Sequence, residues 1–179
     1  MIKRILLLFL SALPLLLSAQ TYKAYPLGES GCQASFPCAA PQAVLEYSPD
    51  SSEVYSSECS YQDVFYSLIC VKLAPDVRVQ MLSLNDYDTL LTHYLEYLKS
   101  AFHITASSGI EYNRVLPEHR DARGVSELWI DTGDAEWEVS AWCNGKYLSV
   151  HMVYMMEGQI PAEKKEFNRT FLYGIRFPK

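Results

Sequence analysis

The stretch from Ala135 to Met156, AEWEVSAWCNGKYLSVHMVYMM, alternates in side-chain character on either side of Asn144-Gly145. Period-two alternation selects a β-strand, and Asn-Gly between two such runs selects a hairpin, because a type I′ turn needs φ > 0 at both central positions. Counting outward from that turn sets Cys143 opposite Lys146, Ala141 beside Leu148, Val139 beside Val150 and Trp137 beside Met152. The intervening positions pair Trp142 with Tyr147, Ser140 with Ser149 and Glu138 with His151. A ribbon with an apolar face must be covered, so the rest of the chain is expected to pack around it.

Upstream, the chain reads as short strands separated by turn chemistry. Thr21 to Gly28 suits an edge strand, Gly31 to Pro37 alternates Cys32, Ala34 and Phe36, and Ala43 to Tyr47 precedes the turn Ser48-Pro49-Asp50-Ser51. Val54 to Cys59 and Val64 to Leu73 follow, the second nearly continuous in apolar and aromatic residues, as a central strand covered on both faces would be. From Asp86 to Phe102 the period changes. Tyr87, Leu90, Leu91, Tyr94, Leu98 and Phe102 recur at helical spacing, with Asn85 as N-cap, Asp86 and Asp88 in the first turn and Lys99 near the end.

Ser107-Ser108-Gly109 breaks that helix. Strands are expected over Ile110 to Leu116, Arg123 to Ile130, Ala135 to Cys143 and Lys146 to Met155, forming an antiparallel meander with Asp131 to Asp134 as one reversal. Pro161 opens a closing helix, AEKKEFNRTFLY, with Phe167 and Phe171 one turn apart, and Gly174 ends it. The fold class is therefore α+β, a central antiparallel sheet with a long amphipathic helix and a C-terminal helix. Residues 20–179 are expected to form a single domain.

Met1 to Gln20 has the order of a secretory signal: Lys3 and Arg4, an apolar run from Ile5 to Leu17, then Ser18-Ala19. The run is short for a membrane span, and cleavage is expected after Ala19, leaving a periplasmic or secreted protein. Without Lys3 and Arg4 the 15 basic residues fall to 13 against 21 acidic ones, a net of −8. That balance, with no basic cluster, speaks against nucleic acid or anionic lipid as a partner. All five cysteines, Cys32, Cys38, Cys59, Cys70 and Cys143, fall in the exported part, where disulfides persist; two bridges and one leftover thiol are allowed, with the pairing open.

The order of elements resembles the PsbP-like superfamily. The matching pieces are Ser35-Phe36-Pro37, the helix Asp86 to Phe102, Tyr147 to Tyr154, and Phe167 with Thr170-Phe171. The resemblance implies a central antiparallel sheet with helices on its two faces. It also implies kinship with accessory subunits of photosynthetic complexes and with exported bacterial proteins of unassigned role, which share no catalytic motif. No functional residue carries over.

Candidate sites are few. If Asp131 to Asp134 forms a four-residue loop, Glu127 falls beside Glu138, giving a cross-strand row Glu127, Glu138, His151 that could hold a divalent metal or exchange a proton. Trp142 and Tyr147, side by side, offer an aromatic binding surface. Glu118-His119-Arg120-Asp121 is a charged segment placed between strands. No Gly-rich phosphate loop, HExxH, GxSxG or EF-hand pattern occurs, no catalytic residue is assigned, and no cofactor is expected. The leading expectation is an exported non-enzymatic module that meets a protein partner in the envelope, its 13 Tyr and 3 Trp being common at recognition surfaces. The alternatives are a metal-binding protein using the Glu/Glu/His row and a small-ligand binder with a pocket between sheet and long helix.

Overall fold

The computed structural model describes residues 22–81 and 83–178. The expected signal segment lies outside the described residues. In chain order the elements are β1 (Lys23–Pro26), β2 (Gln33–Phe36), β3 (Val44–Tyr47), β4 (Glu53–Tyr61), β5 (Val64–Lys72), a one-turn helix α1 (Pro75–Arg78) and the long helix α2 (Leu84–Ala101). There follow β6 (Ile104–Ser107), β7 (Glu111–Leu116), β8 (His119–Asp131), β9 (Glu136–Cys143), β10 (Tyr147–Tyr154), a 3-10 turn (Ala162–Lys164), α3 (Lys165–Leu172) and β11 (Ile175–Arg176). The fold is α+β, as expected.

Eight strands build the main sheet in the order β3-β4-β5-β10-β9-β8-β6, with β7 also paired to β8, and all its pairings are antiparallel. The ribbon β9-β10 lies in the interior of that order. Nearly every residue of both strands is buried, so their alternation separates two covered faces rather than an inside from an outside. One face packs on α2 through Leu91, Leu95 and Leu98. The other is covered jointly by α3 and a separate three-stranded sheet, β1-β2-β11, where the sequence led us to expect a helix alone. Phe171 of α3 ties these layers together, with ring centroids 5.4 Å from Tyr66 on β5, 4.9 Å from His151 on β10 and 5.1 Å from Phe36 on β2.

Two local corrections follow from turn chemistry. The hairpin is not a type I′ turn with Asn144 and Gly145 at its centre. The Asn144 side-chain oxygen accepts hydrogen bonds from the N–H groups of Lys146 (3.1 Å) and Tyr147 (2.9 Å), and the Asn144 N–H donates to the Tyr147 carbonyl (3.1 Å). The central pair is therefore Gly145-Lys146, with positive φ (+80°) at Gly145 alone, the pattern of a II′ turn. The pairing moves by two residues, setting Cys143 opposite Leu148, Ala141 opposite Val150 and Ser140 opposite His151. A two-residue shift leaves each side chain on its expected face.

Helix α2 starts earlier than expected, because Ser83 rather than Asn85 caps it. Ser83 Oγ accepts from the Asp86 N–H (3.3 Å), while the Asp86 carboxylate accepts from the Ser83 N–H (2.7 Å), a reciprocal capping box. His103, at φ +54°, then turns the chain straight into β6. That strand was absent from the sequence reading.

Candidate functional site

The register of β8 against β9 decides what the candidate carboxylates can do together. Asp131 Oδ1 accepts from the N–H groups of Gly133 (2.8 Å) and Ala135 (3.0 Å), and this tightened turn pairs Ile130 with Glu136 and Glu127 with Val139. The expected pairing of Glu127 with Glu138 is off by one residue, and a slip of one sends a side chain through to the other face. Glu127 accordingly points at α2, where it is buried and accepts from Lys99 Nζ (3.2 Å). Glu138 and His151 share the opposite face as diagonal neighbours across β9 and β10. Among the described residues no group of three or more His, Cys, Asp or Glu side chains is placed to hold a metal ion.

Glu138 belongs instead to a buried amide relay. Asn168 of α3 donates from Nδ2 to Glu138 Oε2 (3.0 Å) and accepts at Oδ1 from the Tyr66 hydroxyl (3.0 Å). Burial raises the Glu138 pKa; the Asn168 hydrogen bond and the charge of Lys165 oppose that shift without cancelling it. His151 is sealed beneath Phe171, neither ring nitrogen meets a hydrogen-bond partner among the described residues, and burial lowers its pKa to about 3 with the Phe171 backbone opposing the shift. An imidazole held neutral and closed off from solvent is poorly placed to exchange protons with a substrate near neutral pH.

Beside this relay a cleft of about 340 Å³ opens under α3. Ser126 and Ser140 lie on its floor with Glu138, Arg114 reaches in from β7, and Lys165 and Arg169 lean over it from α3. Each cation already faces a carboxylate: Arg114 pairs with Glu111 and donates from Nε to Ser126 Oγ (3.0 Å), Lys165 lies 3.7 Å from Glu136, and Arg169 lies 3.8 Å from Glu166. The cleft thus offers mixed polarity without a surplus of positive charge. It lies on the face away from α2, where the sequence led us to look for a pocket.

The aromatic pair is not a surface. Trp142 is fully buried, donates from Nε1 to the Leu172 carbonyl (2.8 Å), and lies so flat on Gly124 that a Cβ there would stand 2.1 Å from its ring. Tyr147 is half-buried and stacks on Phe177 with centroids 6.0 Å apart. His119 sits on β8 rather than in a loop, its Nε2 accepting from the Phe177 N–H (3.1 Å). Of the five cysteines, Cys38 and Cys59 form a disulfide with Cα atoms 6.2 Å apart, and Cys32, Cys70 and Cys143 are buried thiols.

The two margins of the main sheet differ sharply. On the β8 side, β6 and β7 both carry register shifts, and β7 exposes the charge of Glu111 beside Tyr112 and Val115. Bulges and charges are what keeps a sheet edge from pairing with a foreign strand. The opposite margin, β3, pairs with β4 without any shift and is solvent-exposed at all four positions. It presents Val44 (58% exposed), Leu45 (44%) and Tyr47 (68%) along a margin with no neighbouring strand among the described residues, with Glu46 as its one charge.

No protein-family model matches the chain, and no curated protein matches it. Among solved structures, the solution structure of cyanobacterial PsbP (CyanoP) from Synechocystis sp. PCC 6803 superposes with a TM-score of 0.52 at 9% identity, covering 90% of this chain and 95% of that one. The fold is PsbP-like. At that identity the likeness concerns architecture and transfers no residue role.

The sheet order makes clear why the exposed margin β3 is not legible in the sequence. Ala43 to Tyr47 was legible as a strand, but only strand order shows that it lies at a margin. The one available signal was its brevity between Pro41 and Pro49, since short Pro-flanked strands favour edges. Arg114, Ser126, Ser140, Lys165 and Arg169 carried no local signal, because α3 and β7 meet over the cleft only in the folded chain.

Proposed function

We propose that the protein is an exported, non-enzymatic accessory module that recruits a strand-forming segment of an envelope or secreted partner onto its β3 edge. The observation that carries this reading is the contrast between margins: β3 keeps an unbroken register and exposes Val44, Leu45 and Tyr47, whereas β6 and β7 on the β8 side both carry register shifts. An extended peptide added to β3 would satisfy its free N–H and C=O groups, and Val44 and Leu45, on alternate faces of the edge, would supply apolar contacts for the added strand's side chains. Export is supported by the Cys38–Cys59 disulfide, a bond that persists in oxidising compartments, and by the signal-like order of Met1 to Gln20. Among the described residues no helix is long and apolar enough to cross a membrane.

The test is site-specific photocrosslinking in the native envelope, with the probe placed at Leu45 or Tyr47 and, as control, at Tyr112 on the β8 side. A discrete partner captured from β3 positions only, and lost in the double variant Leu45→Lys, Tyr47→Lys, is the expected result. Capture of the same partner from Tyr112, or none from β3, would defeat the reading.

A further inference from the structure

Outside the Cys38–Cys59 bridge, two of the three thiols share a site. Cys70 lies in the middle of β5 on the face turned to the small sheet, paired across the strands with Tyr55 of β4 and Ser149 of β10. Cys32 arrives from the turn between β1 and β2, where the Leu27 N–H donates to the Cys32 carbonyl (3.0 Å) and the Cys32 N–H donates to Ser30 Oγ (3.0 Å). Gly28 of the same turn approaches the Tyr55 ring so closely that an added Cβ would stand 2.9 Å from it, which seats the turn directly over the Tyr55–Cys70 pair. Cys32 (1% exposed) and Cys70 (0%) belong to one core cluster, and each thiol is the largest influence on the other's acidity. Cys143 lies in the other core, across the sheet beside α2.

We infer that Cys32 and Cys70 are a dithiol site that oxidises to the protein's second disulfide, clamping the β1–β2 turn onto the central strand β5 and leaving Cys143 as the single thiol. The Cys38–Cys59 bridge then nests inside the Cys32–Cys70 interval. The chemistry is thiol–disulfide exchange with an exported oxidoreductase that carries a reactive disulfide. Cys32, carried on the turn rather than within the central sheet, is the attacking group, reaching the oxidoreductase while the turn is open. Its thiolate attacks one oxidoreductase sulfur, forming a mixed disulfide and expelling the other sulfur as thiolate. Cys70, once its proton is lost to water, attacks Cys32 Sγ and expels the remaining oxidoreductase sulfur. Two protons and two electrons leave the pair, and the oxidoreductase disulfide becomes a dithiol. Because both sulfurs are sealed from solvent, the exchange takes place while the turn is open, before the core closes over it.

The experiment is alkylation of the full-length exported protein, unfolded in guanidinium without reductant, followed by peptide mapping. Trypsin is unsuitable, since no Lys or Arg occurs between Lys23 and Lys72 and all four relevant cysteines stay on one fragment; pepsin separates them. The expected result is a single alkylated residue, Cys143, with Cys32 joined to Cys70 and Cys38 joined to Cys59. In Cys32→Ser, Cys70 should become the second alkylated residue, a readout on unfolded chain that does not depend on the variant's stability. Three alkylated cysteines in the wild type, or a crossed pairing such as Cys32 with Cys59, would overturn the inference.

Discussion

His151 is the residue at which burial and chemistry conflict most openly. It occupies a central strand, fully enclosed, with neither ring nitrogen partnered among the described residues, and its pKa falls from 6.5 to about 3 because the folded interior disfavours the charged ring. Between those values only the unfolded chain takes up the proton. Stability from this group is therefore complete above pH about 6.5 and drains away as the pH falls toward about 3, at up to about 1.4 kcal/mol per pH unit. Glu138 acts in the opposite sense: its raised pKa favours the folded state at low pH, an advantage lost as the pH rises through that raised value. Comparison with His151→Leu isolates the imidazole. Urea midpoints measured from pH 7.5 down to pH 4 should show the wild type losing stability relative to the variant, and parallel curves would mean that His151 is not the buried neutral base described.

At the scale of elements, α2 shows how much depends on a cap. Its buried stripe of Leu91, Leu95 and Leu98 closes one core, and its first turn is fixed by the Ser83–Asp86 box. Ser83→Ala removes the hydroxyl acceptor for the Asp86 N–H and should cost about 1 kcal/mol, read as a lower urea midpoint with an unchanged slope. Asn85→Ala, at the cap position the sequence pattern favours, should cost less than half as much; the reverse order would show that the helix begins one turn later. The same element illustrates what was legible in the chain. Periodicity located α2, β5 and the β9-β10 ribbon because each is long and its pattern repeats. Turn chemistry was legible in kind but not in count: Asn144 uses its side chain to hold the turn rather than its backbone to make it, and Asp131 tightens its loop by one residue. The first miscount left the faces intact, whereas the second sent Glu127 to the far side of the sheet. Short elements such as β6 and β11 acquire their identity from the strands they pair with, so no local pattern announced them.

At the scale of the whole molecule, two cores share one sheet. Trp129 and Trp137 lie in the core facing α2, Trp142 lies in the core facing α3 and the small sheet, and β5, β9 and β10 contribute side chains to both. Neither core can persist without these strands, because each would lose the surface it packs on, and removing either cover exposes apolar residues along the whole ribbon. The cores should therefore unfold as one unit. The double variant Trp129→Phe, Trp137→Phe leaves Trp142 as the sole indole, so its fluorescence reports the α3 side while far-UV circular dichroism also follows α2. Coincident urea transitions are the expected outcome for this pair of probes. A dichroism change that precedes the fluorescence change would instead mean that α2 leaves the sheet first, and that the ribbon needs only its α3-side cover to stay folded.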